Sequence, residues 1–300
     1  MDKQSINSKK LKKGPKTLKN YLYLMPAVIL TVVFFITSIF YTIYLSFHTW
    51  DGFSPIKFVG FYNYIYLFHD ANFKISVMNT IIWVVCSLLI SLVIPLLFAI
   101  LVSRSSWLTG FKNIFYFPTA LSATVGGMII ASMISTYGLP QIFGLLGMDN
   151  LVCDWLAIPY INTFIMIGMG MWQGIGLNMI LFISGLNHIP ASPIEAAALE
   201  GAGTLSMYTK VIFPLLKPTT IVVFLMSLVN SFKIFDSIWV MTKGGPYRSS
   251  ETLALTMYEE SFIRNQFGIG SAVAVVLSIV ILVIAYFNLK NTFADNNLTV

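Results

Sequence analysis

The amino-acid sequence predicts an all-α, polytopic membrane protein with six transmembrane helices. Of its 300 residues, 57% are hydrophobic and only 10% are charged, whereas soluble chains carry about 25% charged residues. A helix needs ~20 mostly apolar residues to cross a bilayer. Six runs meet this requirement, over residues 22–47, 76–102, 113–135, 161–185, 219–241 and 269–289. They are too long for the strands of a membrane barrel, so helices are the structure that satisfies their backbone in lipid.

The distribution of basic residues predicts the orientation in the membrane. Residues 1–20 carry seven lysines and one acid, and such a run before a first span is typical of a topology signal. An arm that binds nucleic acid or anionic lipid would have a similar composition. With this tail inside, the inner segments hold twelve basic residues and the outer segments five, while Lys233 lies within a span. We therefore expect a basic cytoplasmic tail (1–20), a six-helix domain (21–290) and a cytoplasmic C-terminal tail (291–300).

Proline and glycine predict local features of the spans. Pro95 in the second run and Pro118 in the third predict kinks. The fourth run contains small residues that allow close helix contact, namely Gly168, Gly170, Gly174 and Gly176.

The stretch 187–218, between the fourth and fifth runs, has a different pattern. Ser192 can act as an N-cap, Pro193 fits the first helical position, and Glu195 lies three residues after the cap. The segment Gly201–Gly203 interrupts the helix, and Thr204 can cap a second helix that runs toward Phe213. The sequence thus predicts two short helices joined by a glycine turn, which we call the two-helix knob.

The knob resembles the EAA loop of permease subunits of ABC importers. That pattern is E-A-A, three residues, G, nine residues and I-x-L-P. Glu195-Ala196-Ala197, Gly201 and Pro214 match, whereas Val211 and Phe213 replace the I and L. The acidic residue before the loop glycine is usually Asp in the family and is Glu200 here. The resemblance implies that the loop contacts an ATPase, and it assigns that coupling role to Glu195, Ala196, Ala197, Glu200, Gly201, Ala202 and Pro214.

Other motifs narrow the resemblance to the carbohydrate type of these permeases, which includes the maltose, multiple-sugar and glycerol-3-phosphate systems. The most specific is Phe235-Asp236 followed by residues 242–246, Thr-Lys-Gly-Gly-Pro. Residues 58–64 and 172–176 are similar to further family segments. Residues 138–155 are as well, although their usual G-L-I-N start is altered to Gly-Leu-Pro-Gln. The resemblance implies the six-span core of the maltose-type permease fold.

The resemblance implies a permease subunit of an ABC importer that takes up a sugar or oligosaccharide through a bacterial or archaeal cell membrane. Its partners would be a second, similar permease, two cytoplasmic ATP-binding subunits and an extracellular or periplasmic solute-binding protein. The chain has no G-x-x-x-x-G-K-[ST] motif, so we expect ATP to be hydrolysed on another chain. We expect no enzymatic activity, cofactor or nucleic-acid partner. We also expect no metal, since the three histidines lack ligand spacing.

Two other classes of protein also have several membrane spans. A self-sufficient secondary transporter of a small polar solute would have internal repeats and ion ligands at broken helices, and no convincing repeat is present. A membrane-embedded enzyme would need a catalytic constellation, which the spans lack.

Polar side chains in the fourth and fifth spans are candidates for the substrate path, because sugars bind through aromatic stacking and neutral hydrogen-bonding groups. They are Gln173, Asn178, Asn230, Lys233, Asp236 and Trp239. Each neutral residue also fits a packing or interfacial role. Lys233 and Asp236 are spaced to pair at i,i+3 on a helix. Such charges should face protein or a wet cavity, so the pair fits either helix packing or the substrate path.

Overall fold

The computed structural model describes residues 18–103 and 107–296. Six helical segments in this part of the chain are long and apolar enough to cross a membrane, which confirms the predicted all-α fold with six spans. They are Tyr23–Ser46, Ala71–Ser103, Ala123–Leu145, Ile161–Asn187, Lys217–Met241 and Phe267–Lys290. Residues 1–17 of the predicted basic tail and residues 297–300 of the predicted C-terminal tail lie outside the described residues.

The described elements follow one another with short connections. The first half comprises α1 (Leu18–Thr31), a π-helical turn (Val32–Ile36), α2 (Thr37–Ser46), β1 (His48–Thr49), β2 (Lys57–Phe58), α3 (Tyr62–His69), α4 (Ala71–Ser103), α5 (Leu108–Tyr116), a 3-10 turn (Phe117–Ala120), α6 (Ala123–Ile134) and α7 (Leu139–Leu145). The second half comprises 3-10 turns (Asp149–Leu151, Trp155–Ala157), α8 (Ile161–Asn187), α9 (Ala191–Leu199), α10 (Thr204–Met207), a π-helical turn (Tyr208–Ile212), α11 (Phe213–Leu215), α12 (Lys217–Phe232), α13 (Asp236–Met241), α14 (Leu253–Tyr258), a π-helical turn (Glu259–Ile263) and α15 (Phe267–Asn296).

The centre of the fold is formed by α4, α8 and α12, which pack side by side. Met179, Phe182 and Val223 are inaccessible between them, together with Ala99 of α4. The first span is peripheral, since α2 packs mainly on α15 and most of its side chains are exposed. A span with this exposure requires lipid or a partner helix around it.

The third span differs from its prediction. The sequence predicted one run over 113–135, but the helix breaks at Phe117–Ala120 and restarts at Ala123. Pro118 has no N–H to continue the hydrogen-bond ladder. Ser122 Oγ then accepts a hydrogen bond from the Val125 N–H at 3.2 Å and caps α6. The apolar helical stretch of span length therefore runs later, over Ala123–Leu145.

Proline and glycine in the other spans have separate outcomes. Pro95 lies inside α4 without ending the helix. Gly176 makes the predicted close contact, because a Cβ there would lie 2.0 Å from the Phe115 carbonyl oxygen. At Gly168, Gly170 and Gly174 a Cβ would meet nothing within 4 Å, so close packing does not explain these three.

Candidate functional site

The two-helix knob lies between the fourth and fifth spans, as predicted. α9 ends in a Schellman motif: the Gly201 N–H donates to the Ala198 carbonyl (3.1 Å) and the Ala202 N–H to the Ala197 carbonyl (3.0 Å). Glu200 is the C-cap residue. Gly201 has a φ of +79°, and a Cβ there would meet nothing within 4 Å. Backbone conformation, and not space, is therefore what requires glycine at this position.

The predicted helix starts are wrong by one or two residues. Ser192 lies inside α9, whose N-cap is Pro190 without a side-chain cap bond. The predicted capping box with Glu195 is therefore absent. Likewise, Thr204 is the first residue of α10 and Gly203 is its N-cap. Pro190 fixes its own φ and holds an extended ψ of 144° immediately before the helix, so the helix begins directly after it.

The knob is fixed to the membrane core at its base. Ile212 and Leu216 are 5% and 1% exposed. Nearby, α8 and α12 approach so closely that a Cβ on Gly185 would lie 2.5 Å from Thr219 Oγ1. Pro214 is exposed and lines a groove of about 320 Å³ with Leu96 and Leu216. The knob is therefore a compact link between the fourth and fifth spans.

The outer face of the knob is exposed and partly apolar. Glu195, Ala196 and Glu200 are exposed, and Ala197 is half-buried. Leu199 is 90% exposed and Leu205 is 78% exposed. Sequence reasoning missed these two leucines, although their placement on both sides of the glycine turn was visible. Together they give the knob an apolar contact surface beside two carboxylates.

A cavity of about 150 Å³, lined by both apolar and polar side chains, lies between α4, α8 and α12. Two of the substrate-path candidates, Asn178 and Asn230, line it. Asn178 Nδ2 donates to the Ser91 carbonyl at 3.3 Å and to Ser227 Oγ at 3.5 Å. The structure thus brings these two asparagines to one site.

Three further features of the cavity were not predicted. Trp83 is 2% exposed, and its Nε1–H has no hydrogen-bond partner. A buried donor left unpaired costs about 1–3 kcal/mol. Gly170 and Gly174 also line the cavity, and this explains why a Cβ at either would meet nothing. The glycines therefore leave room in a cavity that Trp83 also lines.

Gln173 lies elsewhere and serves the break in the third span. Its Nε2 donates to the carbonyls of Leu121 and Ser122, both at 3.3 Å. The backbone carbonyl of Gln173 accepts a hydrogen bond from Thr119 Oγ1 at 2.8 Å. The side chain therefore donates to two backbone carbonyls at the break that follows Pro118.

The predicted Lys233–Asp236 pair is wrong. The helix of the fifth span ends at Phe232 and restarts at Asp236, so the two side chains are not one helical turn apart. The described ion pairs do not include them, and both are exposed. Thr252 Oγ1 donates to the Ile234 carbonyl at 3.1 Å and satisfies part of the unwound backbone. The last candidate, Trp239, stacks on Phe235 with ring centroids 5.9 Å apart.

The segment between the fifth and sixth spans is fastened to the core by two buried asparagines that sequence reasoning did not single out. Asn79 Nδ2 of α4 donates to the carbonyls of Arg248 (3.2 Å) and Glu251 (2.9 Å). Asn162 Nδ2 of α8 donates to the Gly245 carbonyl at 2.9 Å. The Thr-Lys-Gly-Gly-Pro motif is therefore the part of this segment that the fourth span holds in place.

The same segment carries a cluster of charges. Glu251 is 1% exposed and makes a two-bond ion pair with Arg248. Burial opposes the charge on Arg248, but the hydrogen bond and the charge of Glu251 outweigh it and raise the pKa. Arg264 pairs with Glu260 at 2.6 Å. Burial raises the pKa of Glu260 and of its neighbour Glu259.

The described His, Cys, Asp and Glu residues contain no group of three that could hold a metal ion.

A family model matches residues 75–294, and its description is "Binding-protein-dependent transport system inner membrane component". The match covers the second to sixth spans and the knob. It therefore includes the knob and the cavity between α4, α8 and α12.

Curated relatives match over nearly their whole length. A probable ABC transporter permease protein of Pyrococcus horikoshii is 34% identical over 278 residues, which are 91% of this chain and 95% of the relative. A multiple sugar-binding transport system permease protein of Streptococcus mutans is 32% identical over 280 residues, covering 92% and 96%. An arabinooligosaccharides transport system permease protein of Bacillus subtilis is 30% identical, covering 90% and 87%.

Solved structures share the fold. A chain of a bacterial ABC transporter involved in the import of the acidic polysaccharide alginate superimposes with a TM-score of 0.81 at 21% identity, covering 92% of this chain and 95% of that chain. A chain of the alginate transporter in complex with an alginate pentasaccharide-bound periplasmic protein gives 0.78 at 21% identity, covering 90% and 92%.

Proposed function

The chain belongs to the family of binding-protein-dependent transport system inner membrane components, and we propose that it is the permease subunit of an ABC importer for a sugar or oligosaccharide. It forms half of the translocation path and couples that path to a separate ATPase. The observation that carries the coupling role is the exposed two-helix knob, which links the fourth and fifth spans. Family membership also decides against a self-sufficient secondary transporter.

The knob is suited to receive force from a cytoplasmic ATPase. α9 is closed by the Schellman motif at Gly201, so it moves as a body and its end does not fray. Leu199 and Leu205 offer apolar area to a partner, and Glu195 and Glu200 offer charge to basic side chains on it. Ile212 and Leu216 carry the movement into the core, because both are buried among the spans.

The cavity between α4, α8 and α12 supports a neutral, hydroxyl-rich substrate. Its polar lining residues are Asn178, Asn230 and serines. Carboxylates and ammonium groups do not line it. The names of the relatives from Streptococcus mutans and Bacillus subtilis support the same substrate class.

The sequence has no nucleotide-binding G-x-x-x-x-G-K-[ST] motif, so the proposed function requires partner chains. A second permease completes the path, two ATP-binding subunits lie under the pair, and a solute-binding protein delivers the sugar from outside. The knob lies on the cytoplasmic side of a bacterial or archaeal cell membrane, with both termini on that side. The excess of basic residues in the inner segments supports this orientation.

Reconstitution tests the proposal. Proteoliposomes that contain this chain, its partner permease, the ATPase and the binding protein should take up labelled maltooligosaccharides or arabinooligosaccharides when ATP is supplied on the ATPase side. Proteoliposomes with this chain alone should not. If the chain alone accumulates solute on an ion gradient, it is a secondary transporter and the proposal fails.

A further inference from the structure

The groove of about 320 Å³ at the base of the knob lies where the second and fifth spans meet the end of the knob. We call it the inner groove. The α4 helix contributes Leu96 to it, and the other lining residues belong to the stretch 213–221, which ends the knob and begins α12. The inner groove shares no lining residue with the cavity between α4, α8 and α12. It is therefore a second site, separate from the proposed substrate path.

The inner groove extends from the end of the spans into the depth of the membrane. Lys217 is the first residue of the fifth span, and Ser103 is the last residue of the second. A helix rises about 1.5 Å per residue, so Ile221 lies about 6 Å from Lys217 along the fifth span. By the same measure Leu96 lies about 10 Å from Ser103 along the second span. The groove therefore reaches one to two helical turns into the bilayer.

The lining of the inner groove changes in character along this depth. Lys217 is exposed at the end of the fifth span, and it carries the only charge among the described residues that line the groove. The deeper residues Leu96 and Ile221 are apolar and half-buried. Thr220, which also lines the groove, donates its hydroxyl hydrogen to the Leu216 carbonyl at 3.1 Å. The groove thus offers one positive charge beside an apolar floor.

An aromatic side chain borders the inner groove on the side of the knob. Phe213 is 40% exposed, and its ring centroid lies 6.1 Å from that of Tyr208. Leu216 in the same lining is 1% exposed, so this wall of the groove is packed into the core. Aromatic side chains are typical of the level at which a span meets the lipid headgroups, although Trp and Tyr are the more enriched types. The rim therefore has the composition of a membrane interface.

A phospholipid presents its chemical groups in the same order as the inner groove does, with a phosphate at the membrane surface and acyl chains at depth. A sugar would find two polar side chains and an otherwise apolar lining. A free phosphate would use Lys217 and leave the apolar floor without a partner. The cytoplasmic leaflet carries a negative surface potential, and basic pockets between spans on that side bind anionic headgroups. Charge and depth together therefore favour an anionic phospholipid.

We propose that the inner groove binds an anionic phospholipid of the cytoplasmic leaflet, with its phosphate beside Lys217 and the first part of an acyl chain against Leu96 and Ile221. This inference rests on the proposed function, which places the knob on the cytoplasmic side. The lipid braces the base of the knob, because Pro214 and Leu216 line the same groove and Leu216 is buried in the core. Coupling through the knob therefore depends on the anionic lipid.

The test uses the complete importer in nanodiscs of phosphatidylglycerol and phosphatidylcholine, with native mass spectrometry to count the lipids that stay bound. Lys217→Gln removes the charge, and Lys217→Arg keeps it. Lys290→Gln is the matched control, because Lys290 is exposed at the inner end of the sixth span and does not line the groove. Wild type should retain phosphatidylglycerol in preference to phosphatidylcholine. Lys217→Gln should lower this preference at least fivefold, whereas Lys217→Arg and Lys290→Gln should stay within twofold of wild type.

A second pair of variants fills the groove without changing its charge. Ile221→Trp places a large ring in the groove, whereas Val222→Trp places the same ring on the next residue of α12, which is 48% exposed and outside the lining. Ile221→Trp should lower the retention of phosphatidylglycerol at least fivefold, and Val222→Trp should stay within twofold. Substrate-stimulated ATP hydrolysis by wild type should rise severalfold with the fraction of phosphatidylglycerol, and Lys217→Gln should lose most of this dependence. If Ile221→Trp does not assemble, the Lys217 variants decide.

Three results would contradict the inference. Equal retention of the two lipids by wild type would mean that the groove holds bulk lipid only. Equal losses for Lys217→Gln and Lys290→Gln would assign the preference to the general charge of the inner surface. If a photo-crosslinker at position 221 joins to another subunit and not to phospholipid, the groove is a protein interface. The proposed function fails separately, because lipid retention is measured without sugar or ATP. It fails if the wild-type importer takes up no sugar at any lipid composition, whatever lipid it retains.

Discussion

The position of Gly201 requires a residue that tolerates a positive φ, but the space around it could hold a side chain. Substitutions there should therefore differ by backbone preference and not by size. A Cβ would meet open space, so bulk by itself is tolerated. A β-branched residue is a genuine outlier at φ > 0, whereas Asn enters this region more readily than other residues that have a side chain. We expect Gly201→Val to reduce ATPase retention and stimulated hydrolysis severalfold or more. Gly201→Asn should keep most of both.

The measurement is co-purification of the ATPase together with substrate-stimulated hydrolysis in proteoliposomes. Ala191→Ser at the exposed start of α9 serves as the control, since Ala191 lies outside the assigned coupling residues and away from the turn. Equal losses for Val and Asn would mean that the side chain itself disturbs the ATPase contact, and the Schellman turn would not be the critical feature.

Glu260 allows a prediction of pH dependence. Its pKa is raised by burial in the segment between the fifth and sixth spans. An acid with a raised folded pKa destabilises the fold while it is ionised, and this penalty is relieved as pH falls through the folded pKa. Glu260→Gln should therefore raise the thermal midpoint near pH 7.5, and the difference from wild type should shrink toward pH 5. The exposed Asp149→Asn is the control. A difference that grows on acidification would contradict the assignment.

At single residues, prediction from sequence succeeded where only one physical explanation accounts for the residue type at that position. Gly201 was predicted to turn the backbone between the two short helices, and the structure has a turn there with a φ of +79° at this residue. Ser192 and Thr204 were predicted as N-caps and are not, although Ser and Thr favour the N-cap over positions inside a helix. The preceding Pro190 and Gly203 decide between these positions. Trp83 could not be identified, since an unpaired N–H is visible only after its neighbours are placed.

At the scale of elements, the unwound stretch 233–235 changes what the fifth span can do. Sequence periodicity treats Lys233 and Asp236 as neighbours on one helix face, but the break places each at a separate helix end. We expect the variants Lys233→Ala and Asp236→Ala to behave independently. Their coupling energy in a double-mutant cycle should stay within the ~0.5 kcal/mol expected for additive changes.

Arg248 and Glu251 provide the matched positive control for that cycle. Glu251 is 1% exposed and doubly bonded to Arg248, and removing one partner of a buried pair costs roughly 3–5 kcal/mol. Thermal stability of the assembled importer is the readout for both cycles. Strong coupling at Lys233 and Asp236 would show that the two side chains meet in a state other than this one.

The errors in the predicted bounds of the spans have one cause. Hydropathy counts apolar residues but does not show where the helix breaks within an apolar run. Pro118 was recognised as a kink, yet its consequence was larger, because Ser122 could cap a new helix and Gln173 could donate to the carbonyls at the break. The last of these contacts joins residues about fifty positions apart in the chain, which local patterns do not contain.

At the scale of the whole molecule, six spans could be predicted because each must bury its backbone alone in lipid, and this makes the signal local. The cavity between α4, α8 and α12 could be predicted only in part. Asn178 and Asn230 were candidates by residue type, but Trp83, Gly170 and Gly174 join them only when α4, α8 and α12 pack together. The network of Asn79 and Asn162 likewise depends on contacts between distant spans.

The orientation of the whole chain is the remaining prediction. We expect the knob inside the cell, and the β1–β2 hairpin and the segment between the fifth and sixth spans outside. After Cys86 and Cys153 are replaced by Ser, single cysteines can be introduced at Tyr247, which is 95% exposed, and at Leu199, which is 90% exposed. Because both sites are open to solvent, accessibility depends on the side of the membrane. Tyr247→Cys should react with a membrane-impermeant maleimide in sealed cells, and Leu199→Cys only after permeabilisation. The reverse pattern would place the knob outside and remove the basis for its contact with a cytoplasmic ATPase.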